Sequence, residues 1–331
     1  MVVPALDVRV PLGRPLPELA GFARRCEDAG LSGVGVPDHH HVGRDAYAAL
    51  AAMAGATDRL TLYPATSNVV TRHPLVLAAL ANSLDELAPG RSLLTVAPGF
   101  LSVEKAGEPQ ARREQLGRVV QALRRLLGDG RATYDGHELE LFHRPATGSR
   151  VVVLASGPRL LELAGEVADR LPVDSRFASG RGTSGPDRRV PHERAGRDPA
   201  ELEEILIVPF GLGDAATTRG WVQGWFREGQ PWLRYPSASN LRWLREAGID
   251  LPDDYDPADV DDSLADRVLD AYGLFGSPEH CAERLQLACA ELDPARMFLF
   301  PAHSWETTYD LPGEAVAAAG SHLVPALEEL S

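Results

Sequence analysis

An acidic and an imidazole side chain stand next to each other in this sequence, directly after a short apolar run. The run covers residues 33–36, and Asp38 and His39 follow it. A carboxylate beside an imidazole can hold or transfer a proton, so the pair is a candidate for general acid and base catalysis. Asp7 interrupts another apolar run, where it either faces a ligand inside a barrel or lies on a solvated face. Burial there would raise its pKa into a range useful for acid and base catalysis.

The run His39, His40 and His41 also raises the question of a metal site. Successive residues that leave a strand point in different directions, and no carboxylate or cysteine stands at a metal-site spacing from them. We therefore expect no metal at these residues.

Polar residues and glycines follow three further apolar runs. Thr66, Ser67 and Asn68 come after the run 60–65, and Pro98-Gly99 follows 92–96. Ser156, Gly157 and Pro158 follow the run 151–155, and a helix is predicted to begin there. Free N–H groups at a helix start beside a glycine favour an anion, although such a turn is also common without one.

Strand-like and helix-like segments alternate along the chain and would position these residues. Alternation of this kind builds a parallel sheet whose ligands lie at the carboxyl ends of the strands. The count is that of a (β/α)8 barrel in one domain, 1–331, with insertions near 129–150, 176–200 and 215–275. The predicted strands are 4–10, 33–36, 60–65, 92–96, 151–155, 171–174, 205–211 and 296–300. The predicted helices include 16–29, 45–56, 75–87, 111–127 ended by Gly128, and 313–329.

Composition narrows the class of protein. The chain has 331 residues, 44% hydrophobic residues and a formal net charge of -14, which disfavours nucleic acid and anionic membranes as partners. No apolar run approaches the roughly 20 residues that span a bilayer, and the first residues lack the pattern of a secretion signal. Three cysteines show no metal spacing and are expected to be buried thiols. We predict a cytoplasmic protein, and its arginine bias, with Lys105 as the one lysine, points to an actinobacterial source.

Two segments have no clear periodicity. Residues 176–197 carry six arginines against two acids, and either form a solvated loop or a collar for a phosphate-bearing ligand. Residues 221–235 gather five aromatic side chains, which either form the core of an insertion or line a substrate pocket.

Four blocks of the sequence together carry a resemblance to a known family. They are GVPDHH, LTLYPATSNVVTRHPLVLAALANSLDELAPGRSLLTVAPG, VVVLASGPRLLELAGEVAD and YGLFGSPEHCAERL. In their order and spacing they resemble the luciferase-like flavin and deazaflavin oxidoreductases, and especially the methylenetetrahydromethanopterin reductase-like branch. The resemblance implies a barrel that binds FMN or the deazaflavin coenzyme F420 at the carboxyl ends of its strands, and a homodimer.

The resemblance also assigns residues. It implies that Asp7, Asp38 and His39 face the cofactor ring as candidate catalytic residues. It implies a non-proline cis peptide between Ala65 and Thr66. The cofactor-binding residues would be Ala65, Thr66, Ser67, Asn68, Pro98, Gly99, Ala155, Ser156, Gly157 and Pro158. The resemblance does not cover the arginine-rich segment, from which Arg176 is a further cofactor-binding candidate. Two positions depart from the family pattern. Phe100 replaces an acid, whose role is lost or passes to Glu104, and Arg170 replaces a glycine.

Three functions remain open at this point. The first is F420-dependent hydride transfer to or from a small organic substrate. The second is an FMN-dependent monooxygenase that uses oxygen and flavin from a separate reductase. The third is a barrel without a cofactor that serves as a binding partner. The sequence does not identify the substrate.

Overall fold

Strands and helices alternate along most of the chain, as the sequence predicts. A computed structural model describes residues 3–144, 147–155, 158–168, 170–174, 203–225, 244–245, 247–250, 260–303 and 306–330. The strands in these ranges are β1 (Ala5–Arg9), β2 (Gly33–Val36), β3 (Thr61–Pro64), β4 (Ser67–Asn68), β5 (Leu93–Ala97), β6 (Arg131–Tyr134), β7 (His137–Glu140), β8 (Arg150–Val153), β9 (Arg170–Asp174), β10 (Glu203–Leu212), β11 (Leu274–Gly276) and β12 (Arg296–Pro301).

The helices lie between these strands. They are α1 (Leu16–Asp28), α2 (Ala46–Ala54), α3 (Pro74–Leu87), α4 (Leu101–Lys105), α5 (Arg113–Asp129), α6 (Pro158–Val167), α7 (Ala215–Trp225), α8 (Asp262–Tyr272), α9 (Pro278–Leu292), α10 (Gly313–Ala318) and α11 (Val324–Glu328). A 3₁₀ turn covers His40–Val42, and a π-helical turn, Ala319–Leu323, joins the last two helices. Among the described helices, none is both long and apolar enough to cross a bilayer.

The eight predicted strands form one parallel sheet that closes on itself. Its order is β3-β2-β1-β12-β10-β9-β8-β5, and β11 adds to the side of β10. Leu62 of β3 forms a parallel bridge with Ser92, next to β5, and its N–H donates to the carbonyl of Arg91 at 2.7 Å. The short β4 continues the third strand and pairs Ser67 with Val96. The third strand thus joins the fourth, and the fold is the predicted (β/α)8 barrel.

Alternation along the strands separates two apolar layers. Leu6 and Val8 of β1 belong to the large core between the sheet and the helices. The residues between and after them, Asp7 and Arg9, face the barrel interior. Inside the barrel lies a smaller cluster composed of Tyr63, Leu93, Val152, Ile205 and Phe298. All three cysteines are buried and unpaired, as predicted.

Several boundaries differ from the sequence prediction. Helix α5 continues through Gly128 to Asp129 and ends at Gly130, whose φ of +80° is the left-handed conformation that glycine adopts without strain. The sequence predicts that Gly128 ends this helix, and that prediction is wrong, because Gly130, two residues later, ends it. Helix α4 was not predicted because it has five residues only. The insertion predicted near 129–150 contains the hairpin of β6 and β7, which turns at Asp135-Gly136.

The insertion predicted at 215–275 has an apolar cluster of its own. Helices α7 and α8 pack together there, and Trp221 lies against Phe275, with ring centroids 6.3 Å apart. A Cβ on Gly211 would come within 2.1 Å of the Trp221 ring. Trp221 therefore packs in the core of this segment. Of the other four aromatic residues in this segment, Trp225 ends α7. The remaining three, Phe226, Trp232 and Tyr235, lie outside the described residues.

Candidate active site

A buried cation lies at the carboxyl end of the first strand. Arg9 ends β1, is 6% exposed and donates from both Nη atoms to the carbonyl of Thr308 at 3.1 Å. Its guanidinium lies 5.0 Å from the centroid of the Phe300 ring. Burial lowers the pKa of Arg9 to about 10, so it is charged at neutral pH. Among the described residues, no carboxylate forms an ion pair with it.

Two neutral imidazoles lie near this cation. Burial, then the positive charge of Arg9, lowers the pKa of His39 to about 3. The same two causes lower the pKa of His303, which follows β12, to about 4. The Nδ1 of His303 lies 2.8 Å from the carbonyl oxygen of Pro301. Both imidazoles are therefore neutral at physiological pH and can donate and accept hydrogen bonds.

Tyr309 joins His39 to a third imidazole. Its hydroxyl lies 3.2 Å from Nδ1 of His39 and 2.7 Å from Nε2 of His41. The two histidine rings stack with centroids 5.5 Å apart, and the phenol ring meets both edge-on. His39 and Tyr309 are partly buried, whereas His41 is exposed. The group thus extends from solvent into the mouth of the barrel.

Asp38 holds the loop after the second strand in place. Its side chain is 1% exposed and accepts hydrogen bonds from Arg72 Nε at 2.9 Å and Nη2 at 3.0 Å. Ser67 donates a further hydrogen bond at 2.9 Å, and His40 Nδ1 lies 3.3 Å away. Both oxygens of Asp38 are therefore occupied. This geometry favours a positioning role over the direct catalytic role that we predicted.

A second carboxylate supports Arg72 from the other side. Asp45 caps α2 by accepting the N–H groups of Tyr47 and Ala48, and it also pairs with Arg72 Nη2 at 2.7 Å. Burial alone would lower the pKa of Arg72, but the hydrogen bonds and negative charges of the two carboxylates raise it instead. Tyr47 lies under the guanidinium and contacts Ser67 at 3.0 Å through its hydroxyl. This network ties the second and third strand ends together.

Asp7 faces the barrel interior, but its carboxylate is fully engaged. Arg296 Nη1 lies 2.5 Å from Oδ1, and the Tyr63 hydroxyl donates to Oδ2 at 2.5 Å. Asp7 is completely buried. It is the third residue of β1 and the inward-facing residue that precedes Arg9 in this strand. The arrangement closes the lower part of the barrel, and the acid and base role of Asp7 stays a prediction.

The end of the third strand has the implied backbone feature. The peptide bond between Ala65 and Thr66 is cis, as the resemblance implied. Ser67 and Asn68 follow in β4 and are buried. Asn68 Oδ1 accepts the N–H groups of Val70 and Thr71, so it orders the loop that carries Arg72.

The fourth strand ends at the predicted Pro98-Gly99 turn. Gly99 has a φ of +92°, and a Cβ there would come within 2.1 Å of Val103, so only glycine fits this close approach to α4. Phe100 is 45% exposed at the start of α4, and Glu104 is exposed on that helix. Glu104 forms no ion pair within the described part of the chain.

The predicted phosphate-side turn is described in part. Ala155, two residues after the end of β8, is buried, and α6 begins at Pro158, as the sequence suggested. Ser156, Gly157 and Arg176 lie outside the described residues.

Three residues of this site were missed in the sequence. Arg9 could have been found, because it shares the inward face of its strand with Asp7 two positions earlier. Arg72 lies several residues after the end of the predicted strand 60–65, so its position in the sequence is a weaker indication of a place in the site than that of Arg9. Tyr309 lies in a loop 270 positions from His39, and no local pattern points to it.

Sequence comparisons relate this chain to known proteins. The sequence model of a family described as luciferase-like monooxygenase matches residues 2–292. The chain is 25% identical over 297 residues to 5,10-methylenetetrahydromethanopterin reductase of Methanolobus tindarius, covering 82% of this chain and 86% of the relative. It is 31% identical over 173 residues to F420-dependent glucose-6-phosphate dehydrogenase of Intrasporangium calvum. That match covers 46% of this chain and spans only about half, 52%, of the relative.

Solved structures show the same fold. The coenzyme F420 dependent tetrahydromethanopterin reductase from Methanopyrus kandleri has a TM-score of 0.75 at 17% identity, covering 98% of this chain and all of that one. EDTA monooxygenase from Chelativorans sp. BNC1 has a TM-score of 0.70 at 13% identity, covering 100% and 94%. At these identities, the likeness supports the fold alone.

Proposed function

Because this chain belongs to the luciferase-like monooxygenase family, we propose that it is an oxidoreductase that uses coenzyme F420. It transfers a hydride to or from a small organic substrate. One relative, from Intrasporangium calvum, is named an F420-dependent glucose-6-phosphate dehydrogenase. When bound, the deazaflavin supplies the hydride chemistry, and the protein supplies orientation and charge.

The observation that carries the proposal is the buried Arg9 beside a neutral His39. A guanidinium without a carboxylate partner among the described residues suits negative charge on a bound ring or substrate. Inside the barrel, Thr95 is 3% exposed, and its Oγ1 has no hydrogen-bond partner in the described part of the chain. Such a buried polar atom fits a ligand that brings its own polar groups.

In this mechanism, each residue has a limited task. Arg9 stabilises negative charge at the mouth of the barrel. His39 gives a proton to, or takes one from, the reacting oxygen of the substrate through Nε2. Arg72 and Asp38 hold the His39 loop in place. The proposed contacts to the coenzyme are Ala65, Thr66, Ser67, Asn68, Pro98, Gly99, Ala155, Ser156, Gly157, Pro158 and Arg176.

Replacement of His39 tests the mechanism. We expect His39→Asn to lower the rate of substrate-dependent reduction or oxidation of F420 by about 10²-fold or more, because a positioned acid or base contributes that much. Coenzyme binding should change little. His137→Asn, on the exposed hairpin, is the matched control. A His39→Asn enzyme with the rate of the unchanged enzyme would contradict the assigned role.

The second candidate is an FMN-dependent monooxygenase. The description of the matched family, luciferase-like monooxygenase, favours it. In that case, a separate reductase would supply reduced FMN, and the oxidation of the substrate would consume oxygen. Oxygen uptake with reduced FMN and no reaction with F420 would support this alternative.

We also propose that the protein is a homodimer joined through α2 and α3, which pack against each other. The outward face of α2 is formed by Ala48, Ala51 and Ala52, and the helix contains no charged residue. On α3, Val76 is 48% exposed and Leu87 is 52% exposed. A helix that is apolar on all sides, as α2 is, is normally buried. A second copy of this face would cover both helices.

A further inference from the structure

The His41, Tyr309 and His39 side chains form an unbroken hydrogen-bonded line. Tyr309 OH lies within 3.2 Å of one histidine and 2.7 Å of the other. His41 at the outer end is exposed, and His39 at the inner end is partly buried. No described residue forms a hydrogen bond with Nε2 of His39, which leaves this atom available to a ligand.

The backbone holds the phenol in this position. Arg9 donates twice to the carbonyl of Thr308, the residue before Tyr309. A Cβ on Gly13 would come within 1.9 Å of the Tyr309 carbonyl oxygen, so the first loop also packs closely against this segment. The hydroxyl is therefore placed by two loops rather than by contacts of its own ring alone.

The single hydrogen of the phenol couples the two imidazoles. Tyr309 can donate to only one of them, so the other must donate its N–H to the phenol oxygen. If His41 donates from Nε2, then Tyr309 donates to Nδ1 of His39, and His39 carries its proton on Nε2. If His39 donates from Nδ1, its Nε2 is the acceptor. The two states hold the same number of protons, but both hydrogen bonds are reversed, and conversion of the first into the second moves one net proton from solvent at His41 to a ligand at His39.

We propose that these three residues are a proton relay between solvent and the candidate active site. When His39 gives its Nε2 proton to the substrate, its Nδ1 takes the proton of Tyr309. The phenol oxygen takes a proton from Nε2 of His41, and water replaces the proton on His41. The reverse sequence carries a proton out. Tyr309 and His41 act through His39, and the relay rests on the proposed function because it needs a reaction that consumes or releases a proton.

Other groups near the line do not offer the same path. Arg9 and Lys105 are cations that face His39 and His41, respectively, and cannot accept a proton at neutral pH. His40 contacts Asp38 and Thr71 instead. Asp38 is occupied by Arg72 and Ser67.

NMR of the ligand-free protein tests the coupling without any coenzyme. Long-range ¹H–¹⁵N spectra report which nitrogen of each histidine carries the proton. As pH falls and His41 becomes doubly protonated, we expect the wild-type His39 to hold its proton on Nε2. In Tyr309→Phe, the His39 signals should no longer follow the titration of His41. Identical His39 signals in both proteins across that titration would overturn the relay.

Turnover provides the second test. We expect Tyr309→Phe and His41→Ala to lower kcat by about 10²-fold, with little change in coenzyme binding. Imidazole added to the buffer should restore His41→Ala, whose outer site is exposed, but not Tyr309→Phe. Tyr134→Phe, at the end of β6, is the matched control. Full activity of both variants with F420 would overturn the relay while the proposed function stands. If neither F420 nor FMN reacts, the proposed function fails. The NMR test of the coupling between His41 and His39 then decides alone whether the three side chains form the hydrogen-bonded line.

Discussion

Arg9 and His39 meet because the ends of neighbouring strands bring them together. The guanidinium is buried without a carboxylate partner in the described ranges, and the imidazole beside it is kept neutral. A charged histidine next to this arginine would be unfavourable, so an anion that binds near Arg9 would remove part of the cause and raise the pKa of His39. The protonation of His39 is thereby linked to ligand binding.

Removal of the Arg9 charge should show this link directly. We predict that Arg9→Gln raises the pKa of both His39 and His303, because Arg9 is the second cause, after burial, that lowers each of them. Histidine NMR titration measures the change. Arg25→Gln, on the exposed face of α1, should leave both pKa values unchanged. Unchanged values in Arg9→Gln would show that burial alone is responsible.

Part of the site could be predicted from the residues alone. Asp38 and His39 could be placed at a strand end because the apolar run before them is short and clear. Their separate tasks could not be predicted, since Ser67 and Arg72, which occupy the Asp38 carboxylate, stand 29 and 34 residues later in the chain. Tyr309 could not be predicted at all, because its contacts depend on how the first and last strands pair.

Among the elements, a buried glutamate connects α1 to the start of β3. Glu27 is 2% exposed and accepts the N–H groups of Asp58, Arg59 and Leu60. Burial alone would raise its pKa, but these three donors and Arg24 lower the pKa below the usual 4.5. The carboxylate satisfies the backbone of the loop that leads into the third strand.

We predict that Glu27→Ala lowers the free energy of unfolding by about 3 kcal/mol at pH 7, because three buried donors lose a charged acceptor. A carboxyl with a lowered folded-state pKa stabilises the protein above the unfolded pKa, and this contribution is lost as pH falls through the folded pKa. The difference between variant and wild type should therefore shrink below pH 4.5. Urea unfolding at pH 7 and at pH 3 measures it, with Asp28→Ala as an exposed control. A difference that is independent of pH would contradict this assignment.

The order of the elements could be predicted because each barrel strand is an apolar run bounded by glycine, proline or polar residues. Strand β2 was predicted at 33–36, where the structure has it. Errors arose where local signals conflict or are short. Gly128 and Gly130 both look like helix ends, and only the backbone conformation of the second identifies it. Closure of the barrel by the Leu62–Ser92 bridge is a long-range contact that no local pattern contains.

For the whole molecule, the apolar outer face of α2 and α3 leads to a prediction about assembly. We expect the wild type to sediment as a dimer and the double variant Val76→Glu, Leu87→Glu to sediment as a monomer, because charges on this face would be buried without partners. Leu287→Glu, on the exposed side of α9, should remain a dimer. A monomeric wild type, or a dimeric double variant, would contradict the proposed interface.

The fold class and the family follow from the sequence, because the blocks that carry the resemblance cover the strands and turns of the barrel. The choice between F420 and FMN does not follow from the sequence, since the resemblance implies a barrel that binds either of them. The substrate does not follow either. The arginine-rich segment 176–197, for which a solvated loop and a collar for a phosphate-bearing ligand were both open, lies outside the described residues.

Cofactor selection tests the central proposal most directly. Purified protein should be titrated with oxidised F420 and, separately, with oxidised and reduced FMN, with fluorescence as the signal. We predict saturable binding of F420, weak or absent binding of both forms of FMN, and weaker F420 binding in Arg9→Gln. Preferential binding of reduced FMN, together with oxygen consumption, would contradict F420-dependent hydride transfer and support the monooxygenase.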